Sequence, residues 1–241
     1  MIKKTLIGGL TAAAALSMVT TVAVAEDDFP GEFSANVALT TDYVFRGISQ
    51  TDNAPAIQGG FDWAHDSGFY VGTWASNVDF GESIEMDVYG GFGGDFNGIS
   101  YDIGGLYYLY PGSADDGAEL DFFELYGSLG YDFEIIAVGA DIAWSPDYTT
   151  ESGDAFYFGG TASIPLPFGF GLDGGFHRQT IDKNSVFGTP DYNTWDVGLT
   201  YTLLGFDLDL RYVDTDLSAT DCFGGSELCD PQATFTVSRS F

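Results

Sequence analysis

From Phe33 to the last residue, apolar and polar side chains alternate with a period of two, in segments longer than soluble strands usually reach. In 84–92, Ile84, Met86, Val88 and Phe92 share one face, and Glu85, Asp87 and Tyr89 oppose them. In 206–212, Phe206, Leu208, Leu210 and Tyr212 oppose Asp207, Asp209 and Arg211. Such alternation puts successive side chains on opposite faces of a β-strand. Twelve segments follow it, at about 32–46, 55–64, 68–77, 83–94, 99–110, 119–131, 133–144, 154–164, 168–178, 191–203, 205–214 and 231–241. Most run near the ~9–11 residues that a tilted transmembrane strand needs, whereas soluble strands centre on ~5–6. A sandwich would have to hide all these apolar faces in one core. A closed barrel instead turns each apolar face to lipid and each polar face to the lumen. The expected fold is all-β: a transmembrane antiparallel β-barrel of twelve strands.

The connections alternate in length. Those near 65–67, 95–98, Asp132, 165–167 and Leu204 are tight, and those near 47–54, 78–82, 111–118, 145–153, 179–190 and 215–230 are longer. Short periplasmic turns and longer extracellular loops are the plan of an outer-membrane barrel, and an even strand number puts both termini at the short-turn end. Tyr43, Phe45, Trp63, Trp144, Phe156, Phe168, Trp195 and Tyr212 sit toward segment ends, as interfacial girdles require. Glycine pairs such as Gly104-Gly105 and Gly159-Gly160 suit bends and close strand contact in a curved sheet. The third and sixth segments carry aromatics on both faces, so their facing stays open.

Residues 1–25 read as a cleaved signal peptide. Lys3 and Lys4 precede an uncharged run rich in Ala, Leu and Thr, which ends in Ala23-Val24-Ala25. Residues 26–241 then form the barrel, and the destination is the bacterial outer membrane. All 36 acidic residues lie beyond the signal, against Arg46, Arg178, Lys183, Arg211 and Arg239. That balance argues against nucleic acid, which needs clustered Lys and Arg. The 45% hydrophobic content argues against a solvated acidic tail.

Cys222 and Cys229 are the only cysteines, and in an exported chain they suit a disulfide that pins a loop. His65 and His177 are the only histidines, no GxSxG occurs, and no Ser-His-acid spacing stands out. Neither an enzyme nor a cofactor is expected. Asp115 and Asp116 sit in an acidic outer loop with Glu119 just beyond; hard-oxygen ligation of Ca²⁺ or Mg²⁺ is one reading, and without EF-hand spacing solvated charge is the preferred one.

In the final strand Phe235, Val237, Arg239 and Phe241 share a face. A terminal aromatic there resembles the signature that outer-membrane assembly machinery reads. The stretch TTDYVFRGISQTDNAPAIQGGFDW (40–63), with GFYVGTWASNVDF (68–80) and DVYGGF (87–92), resembles the TorF-type porin family of proteobacterial conserved hypothetical proteins. The resemblance covers roughly the first third of the chain after the signal. It implies a porin-like role and supplies no substrate or catalytic residue.

Parity places Asp42, Asp62, Glu85, Asp87, Asp102, Glu124, Asp141, Asp173, Asp196, Asp207 and Asp209 inward, against Arg46, Arg211 and His177. Rings of carboxylates favour cations, so one reading is a porin-like channel for small hydrophilic solutes with a cation bias. Arg46 and Arg211 are its candidate selectivity residues. The same charges also suit a closed interior in which both arginines are counter-ions, in a barrel that acts through its outer loops. Residues 46–54 either fold inward as a constriction or cap the barrel. The partners expected are outer-membrane lipid and lipopolysaccharide, the assembly machinery, and small solutes or cations; a homo-oligomer stays open.

Overall fold

The computed structural model describes residues 30–112 and 119–241. The signal-peptide segment 1–25 lies outside the described residues, as do Asp115 and Asp116. Twelve antiparallel strands close into one barrel: β1 (Glu32–Thr40), β4 (Ala56–Ala64), β5 (Phe69–Asn77), β6 (Ile84–Phe96), β7 (Ile99–Leu109), β8 (Phe122–Asp132), β9 (Ala137–Ser145), β10 (Ala155–Pro165), β11 (Phe170–Ile181), β12 (Tyr192–Leu203), β13 (Phe206–Thr215) and β14 (Gln232–Ser240). The other two, β2 (Val44–Phe45) and β3 (Ile48–Ser49), form a small hairpin of their own within the first long loop. Among the described residues no helix is long and apolar enough to cross a membrane. The strands satisfy their ladder partners by closing the sheet on itself.

Closure runs through the chain ends. β14 pairs with β1 from Asn36↔Ser240 to Thr40↔Thr236. The Phe241 amide donates to the Ala35 carbonyl at 2.8 Å, and the Ala35 amide donates back to Phe241 at 3.2 Å. Outside the barrel, the Arg239 guanidinium lies over the Phe206 and Phe241 rings at 5.1 and 5.3 Å. That arrangement shields an outward cation with aromatic faces.

Alternation sorts the side chains cleanly. Phe61, Ile103, Leu129, Phe176 and Leu210 point outward and are exposed, whereas Trp74, Tyr108, Tyr157 and Gln179 point inward and are buried. Burial also sets the facing of the third and sixth segments: Tyr70, Trp74 and Ser76 turn inward on β5, and Phe122, Glu124 and Tyr126 on β8. Val197 is outward near the middle of β12. Val197→Arg is therefore expected to cost about 2–4 kcal/mol, the penalty of a lipid-facing cation at the midplane. Urea titration of the barrel refolded into liposomes measures it, and a loss near zero would mean that Val197 does not face lipid.

One expectation needs correction. The first segment, read as a strand over 32–46, ends at Thr40. Residues 41–55 leave the wall and fold into the long-loop end of the lumen. Arg46 at φ 50° and Gly47 at φ 83° make the turn of the β2–β3 hairpin. The polar partners that Arg46 meets inside the barrel outweigh continuation of the strand. Asp42 and Arg46 are therefore loop residues. Tyr43 and Phe45 are not girdle residues either: Tyr43 is buried against Trp74, and Phe45 lies against Tyr108.

Candidate functional site

The lumen divides into a packed mouth at the long-loop end and a partly open half toward the short turns. The mouth is built around Arg46. Its Nη2 donates to Glu124 Oε2 at 2.8 Å and its Nη1 to Gln179 Oε1 at 3.2 Å. The guanidinium lies 4.5 Å from the Tyr157 ring centre, 4.7 Å from Phe45 and 5.9 Å from Tyr148. Tyr108 Oη donates to the same Glu124 oxygen at 3.1 Å, and Tyr192 Oη donates to the Arg46 carbonyl at 3.0 Å. Burial is the largest single influence and works against the Arg46 charge, but Glu124 together with Tyr148, Tyr108 and Tyr157 outweighs it, so its pKa lies above the ordinary arginine value.

Further contacts hold the rest of the loop. Tyr43 and Tyr110 donate to the two oxygens of Glu85, at 2.7 and 2.6 Å. The Ser49 and Thr51 hydroxyls each lie 2.7 Å from Asp42 Oδ1. Burial nevertheless holds the Asp42 carboxyl above the usual carboxylate range. From above, the last long loop presses down: Ile48 packs with Tyr192, Cys222 and Cys229, and the Ser49 amide donates to the Leu228 carbonyl at 2.9 Å. Cys222 and Cys229 form the disulfide that ties this last loop.

The half toward the short turns is centred on Arg211 of β13. It reaches Asp173 at 2.5 Å, Asp209 at 2.8 Å, and Asp196 at hydrogen-bond contact, with about 25% of its side chain exposed. Register explains the reach. Gly198 of β12 lies between Arg211 and Asp173, paired with each. A Cβ at 198 would stand 2.4 Å from Arg211 Nη2, so glycine there leaves the guanidinium room to cross the strand. His177 Nε2 is 3.0 Å from Asp141 Oδ1, with its ring stacked 4.8 Å from Tyr157. Asp207 accepts from Thr202 at 2.6 Å. On the opposite wall, Tyr70 donates to Asp102 at 2.8 Å and Tyr89 to Asp62 at 2.5 Å. Back at the mouth, Asp87 points inward between Trp74 and Tyr108 and is buried, with Oδ1 lacking a hydrogen-bond partner among the described residues. Among the described residues no His, Cys, Asp and Glu side chains group to hold a metal ion.

The structure thus brings Arg211, Asp173, Asp196 and Asp209 together, pairs Asp141 with His177, and leaves Arg46 and Asp42 in the mouth. Sequence reasoning missed Gln179, Tyr108, Tyr148, Tyr157 and Tyr192 as mouth residues. The recurrence of large polar side chains at inward positions near the long-loop ends of β7, β10, β11 and β12 is the signal that parity offered for four of them.

Fold and lumen together define a twelve-stranded barrel of the porin type. By sequence, the profile of a family described as "Bacterial protein of unknown function (Gcw_chp)" matches residues 24–241, and the chain belongs to that family. No curated protein matches the chain by sequence. Among solved structures it is similar to a KdgM porin, with TM-score 0.58 and 8% identity over 86% of this chain and 98% of that one. It is also similar to a NanC porin, with TM-score 0.54 and 8% identity over 86% and 98% of the two chains. Identities this low speak to the fold alone.

Proposed function

We propose that the protein is an outer-membrane channel for small hydrophilic solutes, biased toward cations and constricted at its outer mouth by residues 41–55. The observation that carries this reading is the segregation of charge by face. Asp62, Asp87, Asp102, Asp141, Asp173, Asp196 and Asp209 turn into the lumen, where Arg211 and His177 are the barrel strands' basic side chains. A carboxylate-lined passage attracts cations and raises their local concentration. The porin-type fold and the wording shared with TorF-type porins support the same reading, as does the sequence of residues 1–25 for export. Lipopolysaccharide around the outer rim, delivery through the assembly machinery by Phe241 and the absence of catalysis belong to this proposal.

Proteoliposome swelling tests it. Vesicles carrying folded protein are expected to swell faster in salts of small organic cations than in those of matched organic anions. Equal rates would remove the bias, and no swelling would remove the channel. Asp207→Asn with Asp209→Asn should move the reversal potential in a KCl gradient toward zero, by lowering the charge of the inner half. An unchanged potential would place the selectivity elsewhere.

A second reading is a non-conducting barrel that acts through its loops. It is favoured by the density of the mouth, where Gln179, Ser145 and Ser152 have no exposed surface and the disulfide-tied loop seals the hairpin.

A further inference from the structure

Arg46 occupies its surroundings as a ligand occupies a site. Two aromatic faces, Tyr157 and Phe45, stand within 4.7 Å of the guanidinium, and a carboxylate and an amide oxygen take its N–H groups. Rings with a carboxylate at the edge are how proteins recognise free cations of this shape. Most of the cradle does not belong to the loop that fills it. Glu124, Tyr157 and Gln179 stand on β8, β10 and β11, so they remain in place if 41–55 withdraws. A second buried carboxyl group stands close by. Asp87 is 5% exposed, and its Oδ1 has no hydrogen-bond partner among the described residues. Two strands from Glu124, it turns to the same lumen, with Tyr108 of β7 between them.

We propose that this cradle is a binding site for small solutes bearing a guanidinium group, which compete with Arg46 and so release residues 41–55 from the mouth. The release step rests on the channel reading; the binding step does not. Because Arg46 is tethered, it competes at a high effective concentration, and the intact protein binds such solutes more weakly than a protein whose cradle is empty.

Calorimetric titration of methylguanidinium into the full-length barrel in detergent tests this, with folding verified by heat-modifiable migration. Arg46→Ala is expected to bind it saturably at millimolar concentration, and at least tenfold more tightly than the unaltered protein does. Adding Glu124→Gln should weaken that binding at least tenfold. Arg46→Gln, which keeps a polar side chain in the cradle, is the second variant should the alanine form fail to fold. No saturable binding to a folded variant, or binding indifferent to Glu124→Gln, overturns the site. Methylguanidinium should also raise the conductance of the unaltered channel. A conducting channel that ignores it overturns the competition, whereas a protein that binds yet never conducts overturns the channel reading and leaves the site standing.

Discussion

Arg46→Ala is expected to destabilise the barrel by about 3–5 kcal/mol, the cost of leaving one member of a buried ion pair without its partner. Glu124 has 2% of its side chain exposed, and the arginine, at 2.8 Å, is its one ion-pair partner among the described residues. Tyr108 alone would then donate to it. The same change removes the ring contacts and the Gln179 bond that hold the loop. Conductance should therefore rise several-fold as stability falls. Glu124→Gln added to Arg46→Ala should recover part of the lost stability, because no buried charge is stranded, while the mouth stays open. Urea titration and single-channel recording on the same variants separate the two effects. A stability loss below about 1 kcal/mol would show that the pair is not buried in the membrane. Unchanged conductance would show that the loop does not set the constriction.

Arg211→Ala should produce the largest change in selectivity. It strands Asp173, Asp196 and Asp209 in one lumen layer without the cation that bridges them. The expected loss of stability is about 2–4 kcal/mol, less than for a fully buried pair because water reaches the site and screens the three carboxylates. The added negative charge should shift the reversal potential further in the cation-selective direction. Gly198→Val should reproduce part of this without removing the arginine, since its Cβ would displace the guanidinium from its path to Asp173. A Gly198→Val protein with unaltered selectivity and stability would mean that Arg211 does not cross β12 in the membrane.

How much of this was legible in the sequence follows from where the information lies. Period-two alternation is local, so the strands, their number and the inward turn of Asp87, Asp141, Asp173, Asp196, Asp209 and Arg211 could be read from residues a few positions apart. Turn chemistry was equally local; Asn97-Gly98 and Leu204-Gly205 carry the positive φ angles of tight turns. The error at 41–46 has a different origin. Tyr43 and Phe45 continue the alternation of β1, but Arg46 finds Glu124, Gln179 and Tyr157 on strands far along the chain, and no local pattern reveals that pairing. β5 and β8 were ambiguous because aromatic residues serve both sides of this barrel: Tyr126 reaches into the lumen to Tyr70 at 2.5 Å, and Phe123, three residues before it, faces outward. Gly198 illustrates the same limit. Its absent side chain matters only because Arg211 and Asp173 flank it in the sheet, a relation set by register.

The loops and the lumen account for one another. A barrel of this size with glycine on its inner face, such as Gly104 beneath the Tyr126 hydroxyl, has room for large polar side chains to lie across the interior. Near the short turns those side chains leave water access. At the mouth, the β2–β3 hairpin and the disulfide-tied loop complete the packing. On the proposed reading, this acidic interior is a passage and the loop narrows it. Planar-bilayer recording of the folded protein in a KCl gradient tests it most directly. Small, steady steps with a cation-selective reversal potential are expected, and the steps should grow when Arg46 is replaced by alanine. Silence from both proteins, each verified as folded and inserted, would contradict it.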